Sequence, residues 1–124
     1  MSITADLIRG HTDTIILAAL LKEDSYGYRI NRTLCDLTDG RYELKEATLY
    51  TAFKRLEEVG FIRSYWGDEA TGARRRYYAI TPEGQTAYRR MICEWQEASA
   101  LIEKLIRFGA DDRQDGKDPG TQCI

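Results

Sequence analysis

The sequence is short of the residues on which metal sites and most hydrolytic sites depend. It holds one histidine, His11, and three cysteines, Cys35, Cys93 and Cys123. No two cysteines stand close enough for a C-x-x-C pair, and their number is odd, so reduced thiols in a cytosol are expected rather than a disulfide framework. A single histidine with scattered thiols excludes a Cys/His metal centre, and no metal or cofactor is expected. G-x-S-x-G, HExxH, a phosphate-binding glycine loop and a dinucleotide fingerprint are all missing. The acidic residues form no pair set apart for acid–base work, and an enzyme is not expected.

Long apolar runs are missing too. The longest, Ile15 to Leu21, covers seven residues, against about 20 needed to span a bilayer. Met1 to Gly10 lacks the basic start and apolar stretch of a signal peptide, so a cytoplasmic protein with no membrane partner is expected. Nor is there an overall basic excess: 18 Lys and Arg against 20 Asp and Glu leave a net charge of −2. Its distribution is uneven. Residues 1–40 carry 4 basic and 6 acidic side chains, residues 41–90 carry 10 and 7, and residues 91–124 carry 4 and 7. The middle is therefore +3, and phosphate contact needs only a local basic face.

With 124 residues the chain suffices for one compact domain. Leu7 to Leu21 reads as a first helix, with Leu7, Ile8, Ile15, Ile16 and Leu20 sharing a broad apolar face. After a turn at Lys22–Asp24, Ser25 is expected to cap a second helix reaching Leu37, with Tyr26, Ile30, Leu34 and Leu37 along one side. Asp39-Gly40 ends it. A third helix spans Glu46 to Val59, with Gly60 as its left-handed terminator. Leu49, Phe53 and Leu56 point inward, and Thr48, Thr51, Lys54 and Arg55 outward. Two strands follow, Phe61–Trp66 and Arg75–Ile80, joined by the polar loop Gly67–Ala73. Thr81-Pro82-Glu83 starts a last helix running to Phe108. On it Tyr88, Met91, Trp95, Ala98, Ile102 and Leu105 make a heptad seam. The tail from Gly109 is rich in Gly, Asp and Pro and is expected to stay disordered.

This order is a mainly helical α+β chain: a winged helix-turn-helix over residues 1–81, a dimerisation helix over 82–108 and a tail over 109–124. The seam needs a partner, and a second copy is the simplest one. The third helix fits the major groove of double-stranded DNA, with Thr48, Tyr50, Thr51, Lys54 and Arg55 on its reading face. The alternative is an ordinary solvated face. Arg74, Arg75 and Arg76 at the second strand suit phosphates, against a charge-guarded sheet edge. Tyr26, where the second helix begins, offers a hydroxyl to a phosphate, against half-buried packing. Tyr77 is expected in the wing core and Tyr78 on the surface. Trp66 reads as packing. Trp95 reads as filling a dimer core, or as flanking a cavity for a flat apolar ligand.

Glu46-Ala47-Thr48-Leu49-Tyr50, Arg55-Leu56-Glu57, Tyr26-Gly27-Tyr28, Arg74-Arg75-Arg76-Tyr77-Tyr78 and Ile80-Thr81 together resemble the PadR family of transcriptional regulators over roughly residues 5–108. The resemblance implies a winged-helix dimer on a pseudo-palindromic operator, usually as a repressor. Leu49 to Glu57, Ser64 to Glu69 and Trp95 are most similar to the short multidrug-binding members. That likeness implies a planar aromatic ligand at the dimer interface, with Asp13, Leu17, Ile92, Trp95, Ser99 and Ile102 on the pocket. Lys45 departs from the expected capping residue at the head of the reading helix, and Ser99 stands where drug-binding relatives carry an acid. Two competing classes are a ligand-sequestering protein and a protein-interaction winged helix, neither binding specific DNA.

Overall fold

The structure is a computed structural model and describes residues 3–67 and 74–113. The elements follow in the order α1 (Ile3–Ile8), a 3-10 turn (Arg9–His11), α2 (Thr12–Lys22), α3 (Gly27–Leu37), α4 (Glu46–Glu58), β1 (Ile62–Trp66), β2 (Arg76–Ile80) and α5 (Pro82–Arg113). It is a mainly helical chain with one antiparallel hairpin and a long final helix. The loop 68–73 and the chain from 114 onward, where most of the expected disordered tail falls, lie outside the described residues.

The single first helix expected over Leu7–Leu21 is broken. Gly10 has no side chain to stiffen the backbone, and the Thr12 hydroxyl donates to the Arg9 carbonyl across the break (3.1 Å). From Thr12 onward α2 is the central helix. Ile16, Leu17 and Leu20 are buried against Ile30 and Leu34 of α3 and Leu49, Phe53 and Leu56 of α4. Leu37, expected on the buried side of its helix, is 74% exposed, because α3 ends there and the chain turns away.

Both helices of the helix-turn-helix stop in the same way. Asp39 takes a positive φ of 54°, and the Gly40 and Asp39 amides donate back to the Cys35 and Asp36 carbonyls. At the end of α4, Gly60 takes φ 85°, and the amides of Phe61 and Gly60 donate to Leu56 and Glu57. These are 6→1 and 5→2 closures that satisfy carbonyls left over at a helix end. The expected N-cap at Ser25 does not form. Tyr26 holds the N-cap position without a side-chain bond, while Ser25 exchanges backbone hydrogen bonds with Tyr78 (3.1 and 2.7 Å). Ser25 thus acts as a one-residue third strand beside β2.

The hairpin pairs Ile62 with Ile80, Ser64 with Tyr78, Tyr65 with Tyr77 and Trp66 with Arg76. That register reverses the expected roles of the two tyrosines. Tyr78 faces the core, 5% exposed, and Tyr77 lies half-buried on the outer side. Neighbouring residues of a strand face opposite ways, so placing one tyrosine places the other.

Thr81 caps α5 as expected: its hydroxyl accepts from the Gly84 amide (3.0 Å) and donates to the Gly60 carbonyl (2.7 Å). The chain divides into two compact units at residues 91/92, not at 81/82. The first turns of α5 belong to the globular unit because Gly84 and Ala87 are buried and Tyr88 and Met91 pack on its core. The second unit is the rest of α5, which stays helical to Arg113, through Gly109 and past the expected end at Phe108. Trp95, Leu101, Ile102, Leu105, Ile106 and Phe108 are exposed along it. Among the described residues no helix is long and apolar enough to cross a membrane.

Gly84 admits no side chain. A Cβ there would sit 2.1 Å from the Phe61 carbonyl oxygen, a backbone atom that cannot move aside. Gly84→Ala is expected to cost about 1–3 kcal/mol, as overpacking does. Thermal unfolding at fixed protein concentration checks it; an unchanged midpoint would disprove this close approach.

Candidate nucleic-acid interface

Helix α4 buries one stripe, Leu49, Ala52, Phe53 and Leu56. At 100° per residue the opposite line is Ala47, Thr51, Lys54 and Glu58, all exposed. Thr48 and Arg55 lie on one flank, and Tyr50 and Glu57 on the other. Each flank is tied down. Arg55 offers its guanidinium fork to Asp13 of α2, with Nε 3.3 Å from Oδ2 and Nη2 bonded to Oδ1. Arg55 is raised above its ordinary pKa, chiefly by the hydrogen bond to Asp13 and also by that carboxylate's charge, so it stays protonated. Asp13 and Arg55 had been assigned to different sites on sequence grounds; the fold brings them together.

On the other flank, the Tyr50 ring packs edge-on to Phe53 and its hydroxyl end lies over Gly27. A Cβ on Gly27 would come within 2.6 Å of that oxygen. Glu57 takes a hydrogen bond from the Ser64 hydroxyl (2.7 Å) and lies 3.7 Å from Arg76, which also donates to Ser64 (2.9 Å). Glu57 and Ser64 were not expected to matter; no sequence pattern marks a pair that meets only when the hairpin folds back on α4.

The turn before α4 is held by Asn31. Its amide donates to the Leu44 carbonyl and accepts from the Leu44 amide, both at 2.8 Å. Lys45 then takes the N-cap position in extended conformation without a side-chain cap, as a lysine must, having no acceptor. The first turn of α4 is therefore exposed and carries no side-chain cap, and a helix N-terminus of this kind favours an anion.

The wing sets its arginines against aromatic rings. Arg74 and Arg76 lie over Trp66, at 5.1 and 5.9 Å from the ring centroid. Arg75 and Arg29 lie over Tyr26, at 4.6 and 5.0 Å. Tyr26 meets Tyr77 edge-on, and Tyr77 stacks on Tyr65, whose hydroxyl bonds Asp24. That bond, followed by burial, raises the Tyr65 pKa. Tyr26 is thus half-buried between α3 and the wing, and the second strand begins at Arg76 rather than Arg75. Trp66, read as packing from sequence, is 53% exposed and serves as a platform for two guanidiniums.

Of the expected ligand-site residues, Asp13 and Leu17 lie in the first unit. Leu17 is fully buried in the core, and Asp13 is engaged with Arg55. Ile92, Trp95, Ser99 and Ile102, spaced 3, 4 and 3 apart, share one face of the second unit. The Ser99 hydroxyl bonds back to the Gln96 carbonyl (3.3 Å).

A helix-turn-helix whose second helix shows a polar line, followed by an arginine-bearing hairpin, defines a winged-helix DNA-binding protein. The chain belongs to the PadR-like family of transcriptional regulators, whose sequence profile matches residues 16–90. It is 48% identical to a transcriptional regulator from Clostridium thermocellum, over 83% of this chain and 97% of that one, with a TM-score of 0.75. A PadR family regulator from Clostridium difficile is 32% identical, over 77% and 98%, with a TM-score of 0.66. An uncharacterized protein of Lysinibacillus sphaericus is 41% identical over 104 residues, 84% of this chain and 95% of its own length. Regulation of transcription through DNA binding is the activity of this family, and nothing in the site calls for an enzyme.

Two variants test how the reading helix is held. Asn31→Leu removes both bonds to Leu44 and is expected to cost about 1–3 kcal/mol, since it strands two polar backbone groups. Gly27→Ala displaces the Tyr50 hydroxyl and is expected to weaken DNA binding while leaving the unfolding midpoint nearly unchanged. Equal DNA affinity in Gly27→Ala would show that the position of Tyr50 is immaterial.

Proposed function

We propose that this chain is a cytoplasmic, homodimeric repressor of transcription that binds a pseudo-palindromic double-stranded operator. Each copy sets α4 in a major groove. Thr51 and Lys54 face the bases and backbone from the centre of the helix, with Thr48, Tyr50 and Lys45 beside them. Arg74, Arg75 and Arg76 meet flanking phosphates, and the Tyr26 hydroxyl lies beside them. The observation that carries the reading is the line Ala47, Thr51, Lys54 on a helix tied along both flanks, which leaves that line free to enter a groove.

The dimer is formed through the apolar residues exposed along the second unit, whose burial by a second copy removes a large apolar patch from water. A planar aromatic ligand seats against Trp95, with Ile92, Ser99 and Ile102 on the same face, and lowers DNA affinity. Its effect is bounded by its preference for one dimer arrangement over the other. Trp95 combines a wide apolar ring with partial exposure, which suits a flat ligand.

Selection of duplexes from a random-sequence pool, followed by fluorescence anisotropy against competitor DNA, tests the reading. The expected outcome is a two-fold symmetric consensus with half-site centres about 34 Å apart. Lys54→Gln should weaken binding and reduce the slope of log affinity on log salt by about 0.9. A planar aromatic dye should quench tryptophan fluorescence and release the duplex, and Trp95→Ala should abolish both effects. Failure to enrich any duplex would refute the regulator reading; dye binding without DNA binding would favour a sequestering protein instead.

A further inference from the structure

Arg55 is a half-exposed cation on the flank of the reading helix, and by residue type it looks like a phosphate contact. Its geometry points elsewhere. Both Nε and Nη2 are directed at the two oxygens of Asp13, a side-on fork that fixes direction as well as distance. Asp13 is a rigid post. It stands between Thr12, which is buried and bonded to the Arg9 carbonyl, and Thr14, whose hydroxyl lies 3.3 Å from the Met91 sulfur. Ile16 and Leu17 anchor the same helix in the core. Reaching a phosphate would require Arg55 to abandon Asp13 and leave a bare carboxylate beside the DNA.

We propose that Asp13 and Arg55 are positioning residues that set the seat of α4 on α2, and that Arg55 makes no phosphate contact. The inference rests on the reading of α4 as the DNA-reading helix. An exposed ion pair contributes little to global stability, so the value of this one lies in orientation. Its loss tilts α4 about the fixed Phe53 side and moves Thr51 and Lys54 off register with the bases. Specific binding therefore suffers, and binding to random DNA, which depends on charge alone, does not.

The test uses the full-length protein and the tightest duplex selected from a random pool with the wild type. Asp13→Asn and Arg55→Gln should each weaken specific binding roughly 2- to 30-fold, the range through which a coupled contact acts. The double variant should be no weaker than the worse single, because both remove one tie. The salt slope, the affinity for random DNA and the unfolding midpoint should stay close to wild type. The charge-reversed pair Asp13→Arg with Arg55→Asp should recover part of the loss, whereas Arg55→Lys, which lacks the planar fork, should recover little.

The proposal is overturned if Arg55→Gln lowers the salt slope by about 0.9 while Asp13→Asn leaves affinity unchanged or raises it. That would make Arg55 a phosphate contact shielded by Asp13. Additive losses in the double variant would overturn it as well. Failure of the wild type itself to select any duplex would instead remove the reading on which the proposal rests.

Discussion

The ring of Phe53 lies stacked on that of Tyr78, 3.8 Å between centroids and 16° from parallel. The rest of the globular unit is arranged around that contact. Phe53 is fully buried at the middle of α4, and Tyr78 is the buried residue of β2. Tyr78 also exchanges both backbone hydrogen bonds with Ser25, just ahead of α3. One residue therefore joins the entry to the helix-turn-helix, its second helix and the wing. Burial is the main reason the Tyr78 pKa lies above its ordinary value, so its ring stays neutral and packs as an apolar plate.

With its inner stripe held there, α4 can be oriented only by what touches its flanks. Those contacts are of different kinds: an ion pair to α2, a ring laid over a glycine of α3, and a carboxylate–hydroxyl–guanidinium chain to the wing. None buries much area. Together they use up the polar residues that flank the reading face and leave its centre to the groove. Precise placement of a reading helix needs such support, since an offset of about 1 Å is enough to spoil a polar contact.

A net charge of −2 does not oppose DNA binding when charge is sorted this way. Part of the middle segment's positive charge is answered inside the fold, as with Arg55 by Asp13 and Arg76 by Glu57. The remaining wing guanidiniums lie across Trp66 and Tyr26, where flat rings hold them extended at little conformational cost. Local arrangement, and not the overall balance, sets the field that a phosphate meets.

The sequence by itself determined the elements and their order. Apolar spacing marks α2 to α5, and the residues that stop or start them act locally: Asp39-Gly40 and Gly60 through backbone conformation, Thr81 and Pro82 through the first turn. Such effects extend over a few residues and are legible along the chain. Leu49, Phe53 and Leu56 were readable as the inner stripe for the same reason. The local rules failed where distant segments compete. Ser25 gave up its capping role to pair with Tyr78, and the two tyrosines exchanged faces because register, not side-chain type, decides which one points inward. Tertiary structure alone decided that Asp13 meets Arg55, that Asn31 clasps Leu44, and that Glu57 reaches Ser64. These partners lie 42, 13 and 7 residues apart, and only the packed core brings them within bonding distance.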